Sequence, residues 1–211
     1  MTDSLLTAAS DLHFHNCYVT GNSGKSLNMK NYKLKLSADS ITYSTYDGQV
    51  GSACEVRVPL QFEQTGIIEI DKALIGQTIQ GNVLLKSPSY AFLRHLTVEG
   101  DFTIEAGTKA SGYANLTQLN IKGNFTNYGV LNNDSVRISN LKFAPRSLYL
   151  TIHGNSYNYG STGISKIFMT TNGNELTIKG NYAGDVNFQQ AEGNETPGGK
   201  VLINDEVKID G

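Results

Sequence analysis

The chain has 211 residues, enough for one large compact domain or two small ones, whereas a repeat array of this length is one continuous rod. Its 17 Lys and Arg against 19 Asp and Glu leave a net charge of −2, so there is no basic footprint for nucleic acid or an anionic membrane. With 22 Gly, 20 Asn, 11 Tyr, 4 Pro and no Trp, the composition suits short strands joined by tight turns and speaks against long helices.

From the N-terminus, Asp3 offers an N-cap ahead of Leu5, Leu6, Ala8 and Ala9, which predicts a short helix of about two turns within residues 3–12, with residues 1–11 as the cap of the array. The same start lacks the basic region and long apolar stretch of a signal peptide, so the protein either stays inside the cell or carries a leader outside this chain. No apolar run reaches the ~18 residues that a membrane span needs, and no membrane insertion is expected. Strands are predicted over 12–20, 33–36, 40–45, 55–62, 67–70 and 77–85, then one or two per repeat, so that 12–211 forms one all-β unit.

In the first predicted strand His13 and His15 alternate across Phe14 and share a face at a spacing that can chelate a metal, with Cys17 two residues further on. A third or fourth ligand is not evident beyond the two histidines, and Cys17 would need to be accessible to serve, so an ordinary strand face is the competing reading and no cofactor is expected. Cys17 and Cys54 cannot build a disulfide framework in so long a chain. One bridge forms if the fold brings them together; otherwise they are separate buried thiols.

Further along, a short phrase recurs: Leu96-Thr-Val-Glu-Gly-Asp101, Leu119-Asn-Ile-Lys-Gly-Asn124, Leu150-Thr-Ile-His-Gly-Asn155 and Leu176-Thr-Ile-Lys-Gly-Asn181. Weaker copies stand at Val19-Thr-Gly-Asn22, Ile79-Gln-Gly-Asn82 and Val207-Lys-Ile-Asp-Gly211. Self-similarity on this scale predicts a solenoid. In the second strong copy Leu119, Ile121, Gly123 and Phe125 share one side, and Asn120, Lys122 and Asn124 the other.

Stacked in register about 4.8 Å apart, the copies give an interior row Leu96, Leu119, Leu150, Leu176 and a second, Val98, Ile121, Ile152, Ile178. Glycines 100, 123, 154 and 180 mark a corner where a side chain collides or φ is positive. Asp101, Asn124, Asn155 and Asn181 then bond to one another's side-chain amides. Glu99, Lys122, His153, Lys179 and Asp210 form an outward row in which unlike charges relieve repulsion.

Spacing between motif glycines varies, and a coil absorbs such variation by extruding loops. Segments 108–115, 155–164 and 189–199 are therefore candidate recognition loops. Tyr113, Tyr128, Tyr157 and Tyr159 make two of them aromatic, suited to sugar stacking or a protein partner, unless the rings pack at corners or stack coil on coil. Catalytic signals are thin. The adjacent acids are Glu99 with Asp101 and Asp205 with Glu206, and no Gly-x-Ser-x-Gly, phosphate loop or dinucleotide fingerprint occurs, so an enzyme is not expected.

The phrase Leu-x-Ile-x-Gly-Asn-Phe-x-Asn-x-Gly, read at Leu119 to Gly129 and again with Ser156 in place of Phe at Leu150 to Gly160, resembles the repeats of haemagglutinin-like secreted bacterial proteins, among them filamentous-haemagglutinin and autotransporter passengers. The likeness spans 77–211 well and 12–75 poorly. It implies a right-handed parallel β-helix at the cell surface or outside the cell, acting as adhesin, stalk or fibre. The partners implied are a glycan or a protein of a host or neighbouring cell; separately, the phrase breaks off at Val207-Lys-Ile-Asp-Gly211 before its corner Asn, so adjacent repeats or a further domain after Gly211 are expected. The alternatives are a polysaccharide lyase or glycosidase on the same scaffold and a self-assembling β-helix filament.

Overall fold

A computed structural model of the chain describes residues 5–21, 25–44, 49–52, 54–112, 116–131, 147–169, 175–178, 182–188, 200–203 and 209–210. Every regular element among them is a strand. The short helix predicted within residues 3–12 is overturned over its described part: Leu5–Thr7 is a strand paired in parallel with Ser26–Lys30, and Leu6 is 62% exposed. The physical reason is that the small Ala8 and Ala9 give a helix little apolar face, while the edge of Ser26–Lys30 offers backbone bonds such as Ala8 N–H to Asn28 O at 2.8 Å.

The strands form two parallel sheets, of 14 and nine strands, together with one antiparallel hairpin, Ile41–Ser44 with Gln49–Ser52. The smaller sheet runs Leu12–His15, Leu34–Ser37, Gly66–Asp71, Val83–Lys86, Phe102–Ile104, Phe125–Asn127, Ser156–Asn158, Glu175–Ile178, Lys200–Ile203. The chain visits the sheets by turns. Ala73–Gln80, Ala91–Val98, Leu116–Ile121, Ser147–Ile152 and Ser161–Met169 belong to the larger sheet, and a strand of the smaller one follows each of them. Because every return passes through the other sheet, strands re-enter each sheet in one direction, and all pairings outside the hairpin are parallel.

Strand interiors bury alternate residues, and the buried set of both sheets forms one cluster. In the larger sheet Leu27, Leu60, Ile79, Val98, Ile121 and Ile152 stand in register as one column, each at most 7% exposed. Leu96, Leu119 and Leu150 form a second. Each such side chain contributes roughly 1.5–3 kcal/mol, so the columns outweigh any surface pairing. In the smaller sheet Leu34, Ile68, Leu85, Ile104, Asn127 and Asn158 align, and beside them Val83, Phe102, Phe125 and Ser156.

Ser156 thus takes a place that Phe102 and Phe125 fill with rings, and its hydroxyl is buried without a hydrogen-bond partner among the described residues. Ser156→Ala is expected to raise stability by about 1 kcal/mol, since it removes a desolvated hydroxyl at little cost in volume. A urea midpoint that falls instead would show that the hydroxyl is bonded.

Two assignments of the repeat are corrected. Leu176 and Ile178 do not continue the rows of Leu150 and Ile152; they pair with Ser156 and Asn158 in the smaller sheet, while Ile167 and Met169 take the rungs above Leu150 and Ile152. Ile209 pairs with Tyr182 and Asp210 with Ala183, so the last weak copy, and Asp210 with it, leaves the row of Glu99, Lys122 and His153. An alternation of apolar residues followed by Gly-Asn fits a strand of either sheet, so the phrase locates a turn without saying which sheet precedes it.

The glycine corner is explained by crowding. Gly123 N–H donates to Gly100 O at 3.1 Å and Gly154 N–H to Gly123 O at 3.0 Å, so backbones lie directly on one another; a Cβ on Gly154 would meet Gly123 O at 2.6 Å. Positive φ enters this row at Gly81 alone among the described residues, at 107°. The neighbouring row also works differently from the amide ladder expected. Asn82 Oδ1 accepts Asp101 N–H at 2.8 Å, Asp101 Oδ1 accepts Asn124 N–H at 2.7 Å, and Asn124 Oδ1 accepts Asn155 N–H at 2.9 Å. A main-chain N–H freed by the bend is the nearer donor.

Candidate recognition surface

The outward face of the smaller sheet carries one continuous column. Lys35 pairs in register with Glu69 and Glu69 with Lys86; Lys86 Nζ bonds Glu105 Oε1 at 2.6 Å. Ile104 pairs with Asn127, and Tyr128 N–H bonds Ile104 O, so Tyr128 occupies the rung after Glu105, and Tyr159 the one after that. The column alternates cation and anion over four rungs, and the next two described rungs carry phenols. Steps of 19, 23 and 31 residues separate equivalent corner positions, and they also carry Lys86 to Glu105, Glu105 to Tyr128 and Tyr128 to Tyr159. This regularity could have linked Lys86 to Glu105, which reasoning from adjacent acids missed; Glu69 joins them only through the strand register.

The tyrosines stack from one rung to the next. Tyr128 and Tyr159 have ring centroids 5.0 Å apart and planes 9° apart, while Tyr157 lies 6.5 Å from Tyr159 at 7°. Asn155 Nδ2 donates to the Tyr157 hydroxyl at 3.0 Å. Tyr128 is still 49% exposed and Tyr159 37% exposed. These rings sit on strands and corners rather than on an extruded loop: 155–164 is filled by Ser156–Asn158 and the start of Ser161–Met169. Likewise Thr108 is buried, its Oγ1 accepting Ser87 N–H at 3.0 Å, and Lys109–Gly112 is a strand. Tyr113 and segment 189–199 lie outside the described residues.

Next to Tyr128 along the column is a depression of about 450 Å³ lined by Glu69, Lys86, Glu105, Gly107 and Thr108, among others. Both acids are paired. Glu69 receives Lys35 at 3.1 Å and Lys33 at 3.6 Å, and the Lys35 hydrogen bond, against some burial, holds its carboxyl below the usual range. A depressed carboxyl stabilises the fold above its ordinary pKa and loses that contribution as pH falls through the lowered value; for this partly exposed group the effect is small.

Other clusters are satisfied structurally. Buried Glu55 is gripped by Arg57 at 2.6 and 2.7 Å and by Arg94 at 3.1 Å. His153 lies beside Lys122, Nε2 to Nζ at 3.4 Å, and its pKa is lowered, by burial first and by that cation second, with Glu99 opposing. Asp101, half of one predicted acid pair, spends its carboxylate on the corner, and Asp205 and Glu206 lie outside the described residues.

His13 and His15 share a face as expected: His13 Nε2 and His15 Nδ1 both reach Ser37 Oγ, at 2.7 and 2.8 Å, and His15 Nε2 lies 3.2 Å from Asp39 Oδ1. Cys17 does not join them. Asn16 takes φ 50°, which breaks the predicted 12–20 strand and turns Cys17 toward the core. No group of three or more His, Cys, Asp or Glu among the described residues is arranged to hold a metal ion.

Comparison with protein-family models, curated proteins and solved structures finds no match to this chain.

Proposed function

We propose that the two sheets wind as a right-handed parallel β-helix and that this solenoid is a non-catalytic segment of a surface or secreted protein, an adhesin or stalk that binds glycan on the outward face of the smaller sheet. The tyrosine stack beside a polar groove carries the reading. A sugar places its C–H face against an aromatic ring and its hydroxyls against charged groups, and Tyr128 with Glu105 and Lys86 offers both on adjacent rungs. Parallel strands fix these rungs at one spacing, so the surface is rigid before a ligand arrives.

A glycan array probed with the full chain, then with Tyr128→Ala, tests this. Binding of a defined glycan class is expected, weakened about tenfold by the loss of one ring, since such a contact is worth ~1 kcal/mol or slightly more. The competing reading, a lyase or glycosidase, is favoured by the two carboxylates and the lysine lining the groove. Against it, each acid is engaged by a lysine, and Glu69 is pushed away from the raised pKa of a general acid. If no glycan or cell-surface protein binds and a polysaccharide is cut, the adhesin reading is finished.

A further inference from the structure

We propose that Cys17 and Cys54 are a disulfide-forming pair, closed by thiol–disulfide exchange with a low-molecular-weight disulfide. Tyr18 pairs with Glu55 and Val19 with Val56, and Glu55 N–H bonds Cys17 O at 2.9 Å, so the two cysteines face each other one residue before on adjacent parallel strands. Neighbours in register lie about 4.8 Å apart at Cα, inside the window of about 4.4–6.8 Å that a disulfide spans. Both side chains face the core: Cys54 is fully buried and Cys17 is partly buried against the same cluster.

The two thiols differ in a way that assigns their order. Burial pushes the Cys54 thiol up, opposed by backbone hydrogen bonds to Cys17 and Ser37, while the Cys17 thiol beside it adds a smaller upward push; Cys54 Sγ also reaches Phe14 O at 3.3 Å. Cys17, the more accessible, attacks first as thiolate. Its sulfur bonds to one sulfur of the small disulfide, and the other leaves as a thiolate that takes up a proton. Cys54, once deprotonated, attacks Cys17 Sγ and displaces the second small thiol. In sum two protein thiols and one small disulfide become one protein disulfide and two small thiols, with two electrons passing to the oxidant.

The bridge closes a loop that holds Ser26–Lys30, Leu34–Ser37 and the inserted hairpin, and so staples rungs between which the chain makes its one described antiparallel excursion. It does not rest on the glycan reading.

The test is incubation of the full chain with glutathione disulfide. Both thiols are expected to disappear from titration in denaturant, with a mass loss of two hydrogens, no retained glutathione, and a peptide map joining Cys17 to Cys54. Proteolysis between the cysteines then gives fragments that separate only after reduction. With Cys54→Ser, glutathione is expected to remain on Cys17, and with Cys17→Ser, Cys54 is expected to stay unmodified in the folded chain. Two titratable thiols after oxidation, a stable glutathione adduct on the wild type, or a covalent dimer would each overturn the proposal.

Discussion

Gly154→Ala is expected to lower stability by about 3 kcal/mol or more, read as a fall in the urea unfolding midpoint. A Cβ there would stand 2.6 Å from Gly123 O and 2.7 Å from Asn124 Oδ1. The first contact is with backbone, which cannot rotate aside. Raising the rung to relieve it strains Gly154 N–H to Gly123 O, Asn155 N–H to Asn124 Oδ1 and His153 N–H to Ile121 O, all between 2.9 and 3.0 Å. Gly107→Ala provides the contrast: nothing lies within 4 Å of its Cβ, but φ is 81°, so only the left-handed penalty of about 1 kcal/mol applies. If the two variants unfold at the same midpoint, crowding is not what keeps glycine at the stacked corner.

That corner also marks how far the sequence could be read. Alternation in Leu119 to Phe125 places the apolar rows correctly because a strand has period two whatever it pairs with. The sheet to which Leu176 belongs was not legible, since strands of both sheets bury alternate residues and end at a bend. Spacing finds the tyrosines without their setting: the loop expected around Tyr157 and Tyr159 is instead the strand Ser156–Asn158, which pairs with Phe125–Asn127 and carries Tyr157, with Tyr159 at the bend that follows. The charged column through Glu69, Lys86 and Glu105 joins residues far apart in the chain, and becomes visible only once the register between neighbouring strands is known. His13 and His15 were read as neighbours from their alternation. The turn at Asn16 that removes Cys17 from them is a backbone choice that an Asn permits but does not announce.

Asn127→Leu is expected to cost about 2–4 kcal/mol although it keeps the volume and adds apolar surface. Asn127 is fully buried, in a column where Ile104 stands one rung earlier, yet its polar atoms are used. Nδ2 donates to Asn158 Oδ1 at 2.8 Å, Thr162 Oγ1 at 2.9 Å and Ser161 O at 3.2 Å, and Oδ1 accepts Gly129 N–H at 3.0 Å. Leucine would leave that N–H and part of the Asn158 and Thr162 acceptors desolvated and unpaired. A cycle with Asn158→Leu is expected to show coupling of at least about 1 kcal/mol, because the second change removes groups that the first one strands. It does not restore the wild type, since Gly129 N–H and Gly160 O, which Asn158 Nδ2 reaches at 3.2 Å, stay without these partners. Tyr128 lies between Asn127 and Gly129, and Tyr159 between Asn158 and Gly160, so the buried amides clamp the bends from which both rings project. Under the glycan reading, Asn127→Leu therefore weakens binding with every tyrosine still present. Full affinity in a destabilised Asn127→Leu chain would separate the ring stack from the core that holds it.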